Sequence, residues 1–391
     1  MLAFTFPGQG SQRPGMGRPW CDHESWELVE EASAVAERDV ARLLLDADGE
    51  ELKDTRHAQL TTFVSSLMVV DAVERLGVEP SFCAGHSLGE YTALTASGAL
   101  SFEEGVRLVT ERAEAMHEAG AENPGTMAAV LGLDDDQVEV ACRRADDDVW
   151  VANFNAPGQV VIAGSDEGVR RAGDVSRELG AKKVMPLPVS GAFHTPYMAP
   201  ARDRLRKAIA DARPRDTDVP IVSNVDALPH ATGSAWTSLL SAQLSSPVRW
   251  KHCLLTLSEA GVTDFIELGP GGVLTGMAKR TVTAARMLSI ATPEDLDKLL
   301  DIIDAAHTLT TGLPQGEHLF AAERLVVSPS AGVFTPVGEL QEGTMIETGQ
   351  VLGTVGGHEV RSPFHGALQS YIAVAGERVT ARQPIAWLRV G

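Results

Sequence analysis

The sequence lacks several features that would assign it to a specialised class of protein. Its four cysteines lie far apart, with no C-x-x-C pair and no spacing typical of metal ligands. They therefore suit free thiols in a reducing compartment. Positive charge is in deficit: the net charge is −20. Because phosphate binding needs a basic face, we expect no nucleic-acid partner. The absence of metal-ligand spacing among the cysteines leads us to expect no metal site either.

Long hydrophobic runs and targeting signals are missing as well. No apolar run has membrane-spanning length, and Met1 to Phe6 form a strand-like pattern without a basic n-region or a cleavage site. These features predict a cytoplasmic protein that is neither exported nor embedded in a membrane. With 391 residues, 44% of them hydrophobic, the chain is long enough for two or three domains.

What the sequence does contain is a G-x-S-x-G motif, GHSLG at residues 85–89. Residues 78–84 are short and mostly apolar, which predicts a buried strand, and residues 90–96 suit a helix of small residues. A strand, this motif and a helix form a nucleophile elbow, which presents Ser87 at the helix N-terminus. There N–H groups and the helix dipole stabilise an oxyanion. The alternative is a plain Gly/Ser turn before a helix.

The rest of the chain before residue 310 alternates predicted strands and helices. After a first strand at residues 2–6, Gln9 lies between two glycines at the carboxyl end, where open α/β sheets bind ligands. The alternative is an ordinary glycine-rich turn. Apolar periodicity predicts further helices at 24–46, 58–76, 101–120 and 196–212, and further strands at 220–225 and 265–268. The helix at 101 opens with a capping box formed by Ser101 and Glu104.

Residues 126–190 differ in pattern from the residues on either side. Their predicted order is β-α-β-β-α-β, which is the order of a ferredoxin-like subdomain. We therefore expect an α/β fold in which this subdomain is inserted into a larger unit made of residues 1–125 and 191–310.

The tail contains an internal repeat. Residues 311–322 are a predicted linker, and from residue 323 onward strands dominate. Two copies of the pattern S-P-x-x-G … G … Q-x-[LI] begin at Ser328 and Ser362. Residues 323–391 thereby resemble the biotinyl/lipoyl domain, an all-β barrel-sandwich. Its modifiable lysine is missing, because no lysine follows Lys298. His358 at the hairpin is either a substitute for the carrier tip or an ordinary exposed histidine, and we expect no biotin or lipoate.

A serine nucleophile needs a base, and two histidines are candidates by position. His86 adjoins Ser87 but should point away from it, because neighbours at a sharp turn diverge. His194 follows a strand and precedes a helix that Thr195 caps and Pro196 begins. His194 is therefore the candidate base.

Five separated motifs resemble those of malonyl-CoA:acyl-carrier-protein transacylases. They are GQGSQ at 8–12, GHSLGEY at 85–91, Arg112, GAFH at 191–194 and GPG at 269–271. The resemblance covers about residues 1–310 and implies an α/β-hydrolase-like core. It further implies transfer of malonyl from malonyl-CoA, through a seryl ester, to the phosphopantetheine thiol of an acyl carrier protein. The pathway would be fatty acid or polyketide synthesis, including trans-acting loading of polyketide synthase components, and no cofactor is implied.

The same resemblance implies roles for individual residues. Ser87 resembles the acylated nucleophile and His194 the general base. The backbone carbonyl of Gln243 resembles the group that orients this histidine, in place of the carboxylate of a full triad. The backbone N–H groups of Gln9 and Leu88 resemble the oxyanion hole.

Two further residues are implied to select the acyl group. Arg112 resembles the arginine that grips the free malonyl carboxylate in a two-pronged ion pair. Phe193 resembles the malonyl-selective form of its motif. Two other functions stay open at this point: an acyl-carrier hydrolase, against which Arg112 argues, and a non-catalytic scaffold that acts through the lipoyl-like tail.

Overall fold

The structure, a computed structural model, describes residues 1–189, 191–299, 323–338, 340–341, 343–380 and 383–389. The chain divides into two compact units, Met1–His307 and Thr308–Gly391. The predicted linker at residues 311–322 lies outside the described residues. Within the described ranges, no helix combines the length and the apolar character needed to cross a bilayer.

The first unit mixes strands and helices along the chain. Its strands are β1 (Leu2–Phe6), β2 (Phe82–Gly85), β3 (Thr126–Leu131), β4 (Val149–Ala156), β5 (Gln159–Gly164), β6 (Lys183–Pro186), β7 (Ile221–Val222), β8 (Pro229–His230), β9 (Asp264–Leu268) and β10 (Arg286–Ile290). Its helices are α1 (Glu27–Ala36), α2 (Val40–Leu45), α3 (Thr55–Arg75), α4 (Gly89–Ala96), α5 (Phe102–Glu122), α6 (Asp135–Arg144), α7 (Asp166–Glu178), α8 (Ala199–Ala212), α9 (Trp236–Gln243), α10 (Trp250–Glu259) and α11 (Val273–Thr281).

A six-stranded sheet forms the centre of this unit, in the order β10-β9-β1-β2-β7-β8. The first five strands in that order run parallel, and β8 pairs antiparallel with β7. Phe4 and Phe6 of β1 are buried, as expected for a strand covered on both faces. Because parallel strands end at one edge, the loops after β1, β2, β7 and β9 come together there.

Helix α5 brings a charged residue into the core. The predicted capping box at its start is confirmed: the Ser101 hydroxyl accepts the Glu104 N–H, and the Glu104 carboxylate accepts the Ser101 N–H. Val109, Arg112 and Met116 follow at helical spacing and are all buried. Arg112 therefore lies on the apolar face of α5 instead of its solvent face.

The single long helix predicted at residues 24–46 is wrong. A 3₁₀ turn at Glu24–Trp26 leads into α1, and the chain then breaks before α2. Glu37 adopts a left-handed conformation with φ of 53°, and Asp39 caps the next helix by accepting the Arg42 N–H at 2.9 Å. Apolar periodicity continues across this break because both helices pack on the same core, so the pattern alone did not reveal it.

Two predicted strands are shorter than expected. The strand predicted at 78–84 is Phe82–Gly85, and the one predicted at 220–225 ends at Val222. Only Cys83 and Ala84 of β2 pair with β7, so nothing extends that ladder further. The early end of β7 leaves Asn224 in a loop, where its side chain is free to contact the neighbouring strand end.

A second, antiparallel sheet has the order β4-β5-β3-β6 and carries α6 and α7. Its apolar core is separate from that of the larger sheet, with Val130, Val138 and Ile162 among its buried residues. Strand β4 is hydrogen-bonded to the segment that precedes α10: the Val248 N–H donates to the Ala152 carbonyl at 2.9 Å. The first unit is thus a mixed α/β fold with two sheets.

The described part of the second unit is built from strands. They are β11 (Glu323–Val327), β12 (Gly332–Pro336), β13 (Met345–Ile346), β14 (Val351–Val355), β15 (His358–Arg361), β16 (Gly366–Tyr371), β17 (Arg378–Val379) and β18 (Pro384–Arg389). They form two four-stranded sheets, β11-β18-β16-β13 and β15-β14-β12-β17. If the strand before each S-P-x-x-G turn is counted with its copy, β11–β14 belong to the first copy and β15–β18 to the second, and each sheet takes two strands from each copy.

The repeat is visible in the turns as well as in the strands. The Ser328 hydroxyl donates to the Ser330 carbonyl at 2.6 Å, and the Ser362 hydroxyl donates to the Phe364 carbonyl at 2.7 Å. Both serines are buried. The two copies therefore close the same turn with the same side chain.

Candidate active site

The candidate site begins at the turn between β2 and α4. Ser87 has a φ of 54°, in the left-handed region that costs a non-glycine residue free energy. A Cβ at Gly85 would collide with the Gly89 carbonyl, and a Cβ at Gly89 would collide with the Phe6 carbonyl. Both positions therefore need glycine, and the tight turn that they permit exposes the Ser87 hydroxyl at the start of α4.

Two amide side chains hold Ser87 in this conformation. The Ser87 N–H donates to Oδ1 of Asn224 at 2.7 Å, and the Nδ2 group of Asn224 donates to the Gly85 carbonyl at 2.7 Å. Nε2 of Gln243 donates to the Ser87 carbonyl at 2.8 Å. Both backbone polar groups of Ser87 are thus bonded, which offsets part of the conformational cost.

His194 faces the serine. Its Nε2 lies 2.8 Å from Oγ of Ser87, and its Nδ1 lies 2.9 Å from the backbone carbonyl of Gln243. A carbonyl oxygen only accepts, so Nδ1 must donate and Nε2 is left to accept the serine proton. Burial, with a smaller contribution from the Arg112 cation, lowers the pKa of His194 to about 3. The ring is therefore neutral near pH 7 and holds a free electron pair towards Ser87.

The Arg112 guanidinium is buried beside this pair, with only 1% of the residue exposed. One of its nitrogens, Nη2, donates to Oγ of Ser87 at 2.9 Å and to Oε1 of Gln243 at 3.1 Å. The other, Nη1, donates to Oε1 of Gln59. Burial lowers the pKa of Arg112, because a cation is less stable away from water. A buried cation next to a nucleophile attracts an anionic ligand group.

Gln9 and Leu88 lie at the ends of neighbouring strands. Leu88 immediately precedes α4, so its N–H belongs to the free N-terminal groups of that helix. Gln9 follows β1, and its side-chain Oε1 accepts the Thr55 hydroxyl at 2.8 Å. Thr55 in turn accepts from Nε2 of Gln59 at 2.7 Å. A chain of hydrogen bonds therefore connects the Gln9 loop to Arg112 through Thr55 and Gln59.

Several of the residues of the candidate site line one cavity of about 180 Å³. Ser87, Arg112 and His194 lie on its wall together with Gln9 and Phe193. The opposite wall comes from the antiparallel sheet and the loop after β6, and its residues are Met127, Asn153, Asn155, Val161, Leu187 and Val189. The cavity thus lies between the edge of the parallel sheet and the face of the antiparallel one.

His86 also lines the cavity but does not face the serine hydroxyl. Its Nε2 lies 2.8 Å from Oδ1 of Asn155, and its ring packs edge-on against Trp250. Burial lowers the pKa of His86. The predicted divergence of His86 from Ser87 is therefore confirmed.

Comparison with known proteins identifies the family. The model of the acyl transferase domain matches residues 3–299. The chain belongs to the acyl transferase family.

Similar relatives of this acyl transferase come from several bacteria. The malonyl CoA-acyl carrier protein transacylase of Bacillus subtilis (strain 168) is 39% identical over 301 residues, which cover 76% of this chain and 95% of that protein. The Escherichia coli (strain K12) protein of the same name is 39% identical over 308 residues, covering 77% of this chain and 99% of that protein.

Solved structures agree with these relatives. The acyl-carrier-protein S-malonyltransferase of Burkholderia pseudomallei 1710b is 40% identical, with a TM-score of 0.74, and covers 77% of this chain and 99% of its own. A malonyl-transacylase solved in complex with its type II PKS acyl-carrier protein is 37% identical, with a TM-score of 0.74, and covers 77% of this chain and 99% of that one.

Sequence reasoning missed three residues of the acyl transferase site: Gln59, Glu90 and Asn224. Glu90 is fully buried in α4, and a glutamate among the small apolar residues of a helix is a signal that its side chain has buried partners. Asn224 lies near the carboxyl end of the strand predicted at 220–225, at the same sheet edge as Ser87, which is a second signal. Gln59 has no such signal, because α3 is buried on nearly every face.

The acyl transferase site contains little that would bind a metal ion. Across the described parts of the chain, no group of three or more His, Cys, Asp or Glu side chains has an arrangement that could hold one. Within the site, His194 is neutral, and the amide of Gln243 lies between Arg112 and Glu90, hydrogen-bonded to both.

Proposed function

We propose that this enzyme transfers a malonyl group from malonyl-CoA to the phosphopantetheine thiol of an acyl carrier protein, in fatty acid or polyketide synthesis. The observation that carries the proposal is the contact of a buried Arg112 guanidinium with the oxygen that His194 is positioned to activate, 2.9 Å away. A cation at that distance favours an acyl group that carries its own carboxylate. The names of the relatives from Bacillus subtilis and Escherichia coli agree with this choice.

In the first half-reaction, Oγ of Ser87 attacks the thioester carbonyl while Nε2 of His194 takes the hydroxyl proton. The Gln243 carbonyl holds Nδ1–H and so keeps the ring in the required tautomer. The N–H groups of Gln9 and Leu88 stabilise the oxyanion of the tetrahedral intermediate. The intermediate then collapses to a malonyl ester on Ser87, and the CoA thiolate leaves with the proton from His194.

In the second half-reaction, the carrier thiol enters and the same groups act in reverse order. His194 takes the thiol proton, the thiolate attacks the seryl ester, and Oγ of Ser87 recovers a proton as it leaves. One serine serves both half-reactions, so the kinetics are ping-pong. No cofactor takes part.

Arg112 selects the acyl group and also tunes the base. The malonyl carboxylate takes up hydrogen bonds from the guanidinium, which releases its contact with Ser87. The malonyl carboxylate also offsets the positive charge of Arg112, which lowers the pKa of His194, so His194 becomes a stronger base when malonyl is bound. Phe193, buried next to His194 on the cavity wall, limits the width of the acyl pocket.

The finer architecture is part of the proposal. Residues 1–125 and 191–310 are an α/β-hydrolase-like core, and residues 126–190 are a ferredoxin-like subdomain, supported by the sheet order β4-β5-β3-β6. Residues 323–391 are a biotinyl/lipoyl-like domain without covalent cofactor, supported by two sheets that share strands from both repeats. Four free cysteines support a cytoplasmic enzyme.

The test is incubation of the purified protein with labelled malonyl-CoA, with and without carrier protein, followed by intact-protein mass spectrometry. One malonyl adduct on Ser87 is expected, together with label on the carrier when it is present. Ser87→Ala should carry no adduct. An adduct that persists in this variant would assign the nucleophile to another residue, and release of free malonate in place of carrier labelling would indicate a hydrolase.

A further inference from the structure

Glu90 is a buried charged residue that the steps above do not use. It lies in the first turn of α4, and none of its surface is exposed. A buried carboxylate is costly unless hydrogen bonds stabilise it. Burial raises the pKa of Glu90 to about 7, although neighbouring N–H donors and the Arg112 cation act in the opposite direction. The Glu90 side chain, which is costly to bury, therefore needs contacts that offset this cost, and it lies next to the turn around Ser87.

The contacts of Glu90 lead to the nucleophile by two routes. Its Oε1 accepts the main-chain N–H of Asn224 at 2.6 Å, and its Oε2 accepts Nε2 of Gln243 at 2.6 Å. The Asn224 side chain accepts the Ser87 N–H, and the Gln243 side chain donates to the Ser87 carbonyl. Glu90 therefore ties the loop after β7 and the end of α9 to the elbow.

The polarity of these groups fixes the orientation of the Gln243 amide. One end of the amide faces the Ser87 carbonyl, which accepts only, and Glu90, whose ionised carboxylate accepts only, so it must be the NH₂ group. The other end faces the Arg112 guanidinium, which donates only, so it must be the oxygen. A rotation of this amide by half a turn would leave three mismatched pairs, one of them a pair of donors at Arg112.

We propose that Glu90 is a positioning residue that sets the orientation of the Gln243 amide and, through it, the Arg112 guanidinium. The selectivity of the site for a carboxylated acyl group then depends on Glu90, although Glu90 does not touch the substrate. The choice of malonyl as that group rests on the function proposed above.

Glu90→Gln tests the proposal with almost no change in shape. A glutamine at this position has one oxygen and one NH₂ group for two partners that both donate. If its NH₂ group faces Gln243, two NH₂ groups meet, and a rotation of the Gln243 amide that relieves this contact places an NH₂ group against Arg112. The hydrogen bond from the Ser87 N–H to Asn224 remains available, so the serine and His194 keep most of their reactivity.

The experiment compares two reactions of Ser87 in the full-length chain. Malonylation by malonyl-CoA needs Arg112, whereas sulfonylation by phenylmethanesulfonyl fluoride, which carries no carboxylate, needs only the serine and its base. In Glu90→Gln, malonylation should fall by roughly ten- to a hundredfold more than sulfonylation, as expected for loss of hydrogen bonds to charged groups. Equal loss in both reactions, or no loss in either, overturns the proposal.

Glu267→Gln is the matched control. Glu267 is also buried, and it accepts the N–H groups of Leu274 and Thr275 at the start of α11, with no role in the reaction steps above. This variant should be less stable to heat yet change both rates in parallel. A difference between the two rates as large as that of Glu90→Gln would mean that the effect is general to buried glutamates, which also contradicts the proposal.

Two further measurements keep the proposal testable. Glu90→Asp keeps an acceptor-only group that is one methylene too short for both partners, so it should show the same difference between rates but a smaller one, about threefold. This variant decides the matter if Glu90→Gln does not fold. Equal losses of malonylation and sulfonylation in Glu90→Asp would contradict the proposal.

The second measurement is the side-chain ¹⁵N–¹H signal of Arg112, assigned with Arg112→Ala. The signal should shift in Glu90→Gln and not in Glu267→Gln. That signal needs no substrate, so it separates failure of the positioning role from failure of malonyl transfer.

Discussion

The two units of the chain differ in where they bury polar groups. Arg112, Glu90 and His194 are all less than one-tenth exposed and lie within one hydrogen-bonded cluster of the first unit. Among the described residues of the second unit, the buried polar side chains are Ser328 and Ser362, and each closes a turn. Burying ionisable groups is costly, so the presence of three of them in one hydrogen-bonded cluster marks the part of the molecule that carries chemistry.

Backbone strain follows the same division. In the first unit, Ser87 and His194 both have left-handed φ values, 54° and 62°. In the described part of the second unit, positive φ values occur at glycines, which adopt them without penalty. The two residues that exchange a proton in the proposed reaction are thus also two that the surrounding structure holds in costly conformations.

The largest effect expected from this comparison is that of His194→Ala. Removal of the base should slow Ser87 acylation on the order of 10³-fold, as is usual for loss of general base catalysis. The measurement is single-turnover acylation followed by intact-protein mass spectrometry. His358→Ala, at an exposed hairpin of the second unit, is the matched histidine control and should leave the rate unchanged. A comparable loss in that control would show that the second unit takes part in the chemistry.

Arg112→Ala should have the second-largest effect on Ser87 acylation. The variant removes the partner of the malonyl carboxylate, so acylation by malonyl-CoA should lose roughly 2–5 kcal/mol of transition-state stabilisation. Acylation by acetyl-CoA, which has no such carboxylate, should lose far less. The two rates are measured side by side under the same conditions, and an equal loss would mean that Arg112 supports the fold only.

Smaller effects are expected for Ser328→Ala and Ser362→Ala. Each removes a hydroxyl that donates to a turn carbonyl, at 2.6 Å for Ser328 and 2.7 Å for Ser362, and that accepts the N–H of the same turn residue, at 3.4 and 3.2 Å respectively. The loss should cost the second unit about 1 kcal/mol of local stability. Hydrogen exchange of the amides in β12 and β16 would measure this. The two losses should be equal because the repeat uses the same turn twice, and clearly unequal losses would contradict that equivalence. Ser87 acylation should not change in either variant.

The smallest effect should be that of removing the second unit altogether. A chain ending near Gly312 should keep its rate of Ser87 acylation within about twofold, since all the proposed catalytic residues precede residue 300. If the truncation changes anything, it should raise KM for carrier protein and leave KM for malonyl-CoA unaltered. A folded truncation that no longer acylates Ser87 would mean that the tail completes the site.

The features that could be predicted from the sequence are those whose residues lie close together in the chain and follow a recognisable pattern or motif. The elbow around Ser87 and the capping box at Ser101 are local, and the turns at Ser328 and Ser362 repeat within one stretch of chain. Glu90 could not be assigned a role in this way, because its partners Asn224 and Gln243 come from segments more than 130 residues away. The break at Glu37 was missed for a related reason: both helices face one core, so the apolar pattern continues across it.

The exchange of strands between the two repeats has a consequence for how the second unit folds. Strand β11 pairs with β18, with Glu323 opposite Arg389, so the first and last described strands of the unit lie side by side. Neither repeat can complete a sheet by itself, and each would leave unpaired edges until the other is present. During synthesis on the ribosome, this unit must therefore wait for β18 to emerge before its sheets can close. Folding dominated by such distant pairings is slow, whereas the first unit is already fully synthesised by then.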